Sequence, residues 1–209
     1  MICVSIANIE YPDLEKEISK YEMLELRLDL LNLSQQEYQK IFNLGKPIIV
    51  TWRYGKINDA VRIKALKQAI LQGADYVDVE IDSKPEFVKE MMRFAKTNNC
   101  KVILSFHDFN QTPDIQTLRH IINKSIDLEG DYMKIACMAN TNSDVARLLS
   151  LYEKNQNLIA FNMGDLGKIS RLTSLYLGAE FTYVSMSKNN TTAPGQYTNE
   201  ELRILLNKI

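Results

Sequence analysis

Two residues of this chain pair an amine nucleophile with a proton shuttle: Lys134 in "DYMKIACMA" and His107 in "SFHDF". Lys134 lies mid-run between Met133 and Ile135, on the strand face shared with Tyr132 and Ala136. Such a lysine reads in two ways. It is an ordinary ion pair within a core, or, beside Arg27, Arg53 or Arg171, a desolvated amine whose lowered pKa frees it to attack a ketone. Only two histidines are present. His120 falls inside the helical stretch "DIQTLRHIINK" and reads as a surface or packing residue, whereas His107 stands where a strand meets its loop and reads as a general acid and base. An amine plus an imidazole is the equipment for imine chemistry on a carbonyl compound. The same arginines suit a carboxylate.

The elements that must position these groups are legible as an alternation. β-rich runs at 2–7, 23–29, 47–52, 76–81, 101–106, 132–136, 158–163 and 181–186 alternate with stretches of helical period, the last being "TNEELRILLNKI". Several helical stretches open at a capping residue or Pro and close near Gly or Asn. Eight strand-then-helix units without a linker predict an α/β protein, a single-domain (β/α)₈ barrel over residues 1–209. An open doubly wound sheet would have fewer strands and a Gly-rich first turn, and "VSIANIEYPDLE" lacks GxGxxG. Barrels of this type typically need about 250 residues, so the loops here must be lean.

In such a barrel the reactive groups come from the C-terminal ends of the strands. The alternation of "LELRLDLL" puts Leu24, Leu26 and Leu28 outward under helices and sends Glu25 and Arg27 inward, with Asp29 at the end of the strand. "YVDVEI" repeats the pattern with Asp78 and Glu80 inward, and Arg53 follows the third strand. Inward charges are costly unless paired or bound to a ligand. Asp78 and Glu80 therefore read either as a structural ion-pair network or as part of a site. The polar stretch "SKNNTTAPGQYTNEE" is either a solvent loop or a lid from which Thr192 and Gln196 reach a bound polyol.

Twenty-five Lys plus Arg against 26 Asp plus Glu give a net charge of -1, which argues against nucleic acid or an anionic membrane as partner. Cys3, Cys100 and Cys137 form no CxxC pair, so neither a disulfide framework nor a structural zinc site is expected. They read as buried thiols in a reducing compartment. "MICVSIANIEYPDLEKE" has no basic n-region, and no apolar run approaches the roughly 18 residues of a membrane span. A cytoplasmic protein is expected.

The pieces "ELRLD", "TWR", "YVDVE", "SFHDF", "YMKIA", "MGDLGKISRL" and "TTAPGQ", spread over nearly the whole chain, resemble the type I 3-dehydroquinate dehydratases, the Schiff-base enzymes of the shikimate pathway. The resemblance implies a (β/α)₈ barrel, commonly a homodimer, with no metal or organic cofactor. Its small-molecule substrate would be 3-dehydroquinate, converted to 3-dehydroshikimate and water. It also implies roles. Lys134 matches the imine-forming lysine and His107 the general acid and base; Glu25, Arg27 and Arg53 match residues that bind substrate hydroxyls or carboxylate. Arg171 matches the carboxylate-binding arginine and Gln196 the lid glutamine, while Thr192 stands where the family often has Ser. One departure concerns His107. Family members often carry a Glu a few residues after the strand-3 arginine to orient the histidine, but "YGKINDA" follows Arg53 without one, leaving Asn58 or Asp59 as stand-ins. Two other readings stay open: a different Schiff-base lyase such as a class I aldolase, and a silent barrel that only binds a hydroxy acid.

Overall fold

The computed structural model describes residues 1–55 and 58–208; Ile209, the last residue of the expected final helix, lies outside them. Among the described residues eight strands alternate with eight α-helices: β1 Ile2–Ile6, α1 Tyr11–Glu17, β2 Met23–Arg27, α2 Gln35–Phe42, β3 Ile48–Thr51, α3 Asp59–Leu71, β4 Tyr76–Glu80 and α4 Pro85–Thr97. The second half continues with β5 Lys101–Asp108, α5 Ile115–Asp127, β6 Tyr132–Met138, α6 Asn142–Leu149, β7 Leu158–Met163, α7 Gly164–Tyr176, β8 Thr182–Ser185 and α8 Asn199–Leu206. All strand pairs are parallel and run β7-β6-β5-β4-β3-β2-β1-β8. This is the (β/α)₈ barrel expected, nearly closed. Among the described residues no ladder joins β7 to β8, and α7 packs across that seam.

Alternation along each strand divides the core into two. Met23, Ile49, Tyr76, Ile103, Tyr132 and Phe181 fill the inside of the barrel toward its N-terminal end. Leu24, Leu26, Leu28, Val77, Val79 and Ile81 face outward and are buried with the apolar faces of the helices. A strand covered on both sides must be apolar outward and is free to be polar inward only where something answers the charge.

Local chemistry starts and stops the helices. Ser34, Thr141 and Thr198 form capping boxes with Glu37, Asp144 and Glu201, and Pro stands in the first turn of α1 and α4. The return to the next strand uses a residue of positive φ six times, at Gly45, Gly73, Asn99, Glu129, Asn157 and Gly178. Among the described residues no helix is long and apolar enough to cross a membrane.

Two strands run further than the sequence suggests. β5 extends to Asp108 and β6 to Met138, because His107 pairs with Ala136 and Asp108 with Cys137 across a continuing ladder. Polar side chains do not end a strand whose neighbour still supplies hydrogen bonds. β2, by contrast, stops at Arg27, and Asp29 lies in the turn beyond it.

The loop after β8 returns over the start of α7. Gly164 N donates to Pro194 O at 3.2 Å. Gly195 has φ +68°, and a Cβ there would lie 2.7 Å from the carbonyl carbon of Gly164. Gly45, with φ +65°, faces open space. Both Gly195→Ala and Gly45→Ala pay backbone strain, but only the former adds a clash. Thermal denaturation should show Gly195→Ala less stable than Gly45→Ala by about 1–3 kcal/mol; equal losses would mean that the loop does not depend on this approach.

Candidate active site

All eight residues singled out in the sequence, Glu25, Arg27, Arg53, His107, Lys134, Arg171, Thr192 and Gln196, line one cavity of about 270 Å³ at the C-terminal end of the barrel. That volume suits a small polar molecule rather than a dinucleotide. A larger groove of about 530 Å³ lies outside the barrel between α2 and α3, but its lining is leucine, alanine, tryptophan and neutral polar side chains such as Tyr38 and Gln68, with no acid, base or cation to do chemistry. His120 is exposed on α5, far from any such role.

Lys134 forms the floor. It is 4% exposed, its Nζ donates to Asp78 Oδ2 at 3.1 Å and sits 3.8 Å from the centre of the Tyr183 ring, with Glu25 Oε1 at 3.9 Å. Burial pulls its proton affinity below the ordinary lysine value; Asp78 and Glu25 push it up and Arg53 pushes it down. The net direction is down, so the two readings of Lys134 are not exclusive. It is an ion pair and also a lysine more easily freed of its proton.

The carboxylates beneath are hydrogen-bonded at both oxygens. Asp78 Oδ1 accepts from Arg53 Nη1 at 2.7 Å and Ser105 Oγ at 2.5 Å, and Oδ2 accepts from Arg53 Nη2 at 3.1 Å as well as from Lys134. Burial alone would raise its pKa, but Arg53 and Lys134 hold it well below the usual carboxylate range. For Arg53, burial works against the charge, and Asp78, Glu25 and Glu80 together outweigh it. Glu25 accepts from Ser5 Oγ at 2.6 Å and Thr51 Oγ1 at 2.8 Å.

The arginines divide sharply. Arg27 is bound twice by Asp29, at 3.0 and 2.7 Å. Arg53 is bound twice by Asp78. Arg171 is 1% exposed, stacks 4.2 Å from the Phe161 ring and donates from Nη1 to Tyr183 O at 3.4 Å, while its Nε and Nη2 have no hydrogen-bond partner among the described residues. No carboxylate pairs with it among the described residues. Burial lowers its proton affinity, yet a guanidinium keeps its charge at neutral pH. It reaches the cavity because Gly167, where a Cβ would lie 2.7 Å from the Asn162 carbonyl carbon, lets α7 press against β7 one turn before it. A buried, unpaired guanidinium is a site prepared for an anion.

His107 stands one inward step above the level of Lys134, since Ser105 is the register partner of Lys134 and His107 that of Ala136. Burial, then Arg53 and Lys134, lower its pKa well below 6.5, so the imidazole is uncharged at neutral pH. Its separation of 3.9 Å from Glu80 is therefore not yet a salt bridge. Neither sequence candidate for orienting it does so. Asn58 caps α3 through Ala60 N, and Asp59 pairs with Lys84. Thr192 and Gln196 meet each other at the rim, Gln196 Oε1 accepting from Thr192 N at 2.9 Å. Ser5, Phe161 and Tyr183 also line the cavity and were not singled out. The alternation of "ICVSI", "LIAFNM" and "FTYVS" places them inward and is the signal that finds them.

The comparisons agree with this geometry. The family model for type I 3-dehydroquinase matches residues 2–209. The 3-dehydroquinate dehydratase of Methanococcus vannielii is 35% identical over all of both chains. That of Thermococcus gammatolerans is 39% identical, over 88% of this chain and 86% of its own. Among solved structures, the 3-dehydroquinate dehydratase of Aquifex aeolicus is 31% identical with a TM-score of 0.84, covering 100% of this chain and 98% of that one. With its barrel, its buried lysine and a match that runs the length of the sequence, the chain belongs to the type I 3-dehydroquinase family.

Proposed function

We propose that this chain dehydrates 3-dehydroquinate to 3-dehydroshikimate through an imine on Lys134, with His107 as general base and acid. One observation carries the reading: the buried amine of Lys134, its proton affinity lowered, lies in the same small cavity as an unpaired guanidinium and a neutral imidazole.

Arg171 takes the substrate carboxylate, since Arg27 and Arg53 each already hold one. This places the ring over Lys134. The amine adds to the ketone and water leaves, giving an iminium whose positive nitrogen acidifies the adjacent C–H. Neutral His107 removes that proton, and the electron pair forms an enamine. The enamine expels the β-hydroxyl, which leaves as water with the proton from His107. Water then adds to the conjugated iminium, and Lys134 is released with the product. The steps balance with substrate and water alone, one imidazole serving several proton transfers. Glu25, Arg27, Thr192 and Gln196 surround the ring and hold its hydroxyls.

Borohydride reduction in the presence of 3-dehydroquinate, followed by peptide mass mapping, is expected to leave a stable adduct on Lys134; binding without any adduct would support the silent barrel instead. Arg171→Ala should raise KM at least tenfold by removing a charge-assisted carboxylate contact, and an unaltered KM would remove it from that role.

His107 also predicts a pH dependence of folding. Its folded pKa is depressed and its unfolded value is 6.5, so just below pH 6.5 the unfolded chain binds the extra proton. Stability should therefore fall as pH drops through that value, by up to about 1.4 kcal/mol per pH unit. Denaturant titrations between pH 5 and 7 should show a shallower slope for His107→Gln, whereas an equal slope would mean the buried imidazole is not the source.

A further inference from the structure

His107 Nδ1 is buried and has no hydrogen-bond partner among the described residues. Glu80 Oε1 stands 3.9 Å from it, about 1 Å beyond a charge-assisted hydrogen bond. The carboxylate is held from behind. Its Oε2 accepts from Tyr54 N at 2.6 Å and from Arg62 Nη2 at 3.0 Å.

Arg62 is fixed in turn. It is 1% exposed, donates from Nε to Trp52 O at 2.7 Å and from Nη1 to Ser83 Oγ at 3.1 Å, and lies 4.1 Å from the Phe87 ring. Both clamps take the same oxygen of Glu80, so Oε1 is left toward the cavity, at 3.9 Å from Arg53 Nη1 as well as from His107. Among the described residues Glu80 is the carboxylate within 4 Å of a His107 nitrogen, and the others of the cluster are engaged elsewhere. Both oxygens of Glu25, of Asp78 and of Asp29 already accept hydrogen bonds.

We propose that Glu80 is the positioning residue of His107, its Oε1 closing on Nδ1–H when the site is occupied, with Arg62 as the buried clamp that holds Glu80 in place. This rests on His107 being the general base. The contact puts the imidazole proton on Nδ1 and leaves Nε2 bare toward the substrate. When Nε2 takes the substrate proton, the imidazolium faces Arg53, Lys134 and Arg27, with Asp78 as the opposing charge below. Glu80 stabilises that cation without itself taking a proton.

The wild-type protein gives a direct reading, because with only two histidines its ¹⁵N-histidine spectrum holds two imidazoles, and His120→Gln assigns them. In the borohydride-reduced adduct, His107 is expected to carry its proton on Nδ1; a proton on Nε2 overturns the proposal. Glu80→Gln keeps an oxygen for Tyr54 N and Arg62 but loses the charge. We expect its kcat to fall roughly 10- to 100-fold, its KM to stay within about threefold, Lys134 still to be trapped, and the acidic limb of kcat to move to lower pH. A kcat within about twofold of wild type with an unmoved limb overturns the proposal. His107→Ala separates the two readings. If it is slow while Glu80→Gln is not, Glu80 alone loses its role; if it too is fully active, the general-base reading fails and this one with it. Should Glu80→Gln not fold, the wild-type tautomer decides.

Discussion

Lys134 and Asp78 meet at 3.1 Å inside the barrel, 4% and 1% exposed, and most of the charged architecture follows from that contact. Moving either ion out of water costs several kcal/mol, which only close partners offset. Asp78 answers two cations, Arg53 and Lys134, and Ser105 completes its shell. Glu25 adds a second negative charge 3.9 Å from both cations, itself steadied by Ser5 and Thr51. The result keeps the lysine ordered and compensated without restoring its ordinary proton affinity.

That saturation decides which groups are left for a ligand. Arg27 and Arg53 each hold a carboxylate in two hydrogen bonds, so among the described arginines of the cavity Arg171 is the one free to take another. Its position belongs to the seam of the barrel. β7 and β8 share no ladder among the described residues, and Arg171 fills the gap from α7, stacked on Phe161 of β7 and touching Tyr183 of β8. The loop carrying Thr192 and Gln196 rests on the start of the same helix through Gly164 and Pro194. Anion site and rim thus share one support.

Much of this was legible in the sequence because the period of a strand is two. Once eight strand-helix units imply a barrel, alternation alone sends Glu25, Lys134, His107 and Asp78 inward and the leucines of "LELRLDLL" outward. Arg171 and the loop residues Thr192 and Gln196 lie outside any strand, so alternation does not place them; they stood out only as a possible cation beside Lys134 and as part of a possible lid, and the family resemblance gave them their roles. Which cation takes which carboxylate could not be read, since pairing is set by rotamers and by register between strands distant in sequence. The partner of His107 was missed for the same reason. The residues just after Arg53 offer Asn58 and Asp59, whereas Glu80 comes from the next strand and is aimed by Arg62, a residue that looks like an ordinary helix-surface arginine in "DAVRIKALKQ".

At Lys134 burial outweighs two nearby carboxylates. Titration of its ε-carbon resonance, assigned with Lys134→Met in protein bearing ¹³C-labelled lysine, measures this directly. The amine should titrate below the ordinary value of 10.5, and lower still in Asp78→Asn, because Asp78 raises it. An amine that titrates at or above 10.5 would mean that the ion pair dominates and that the lysine is held charged rather than poised to react.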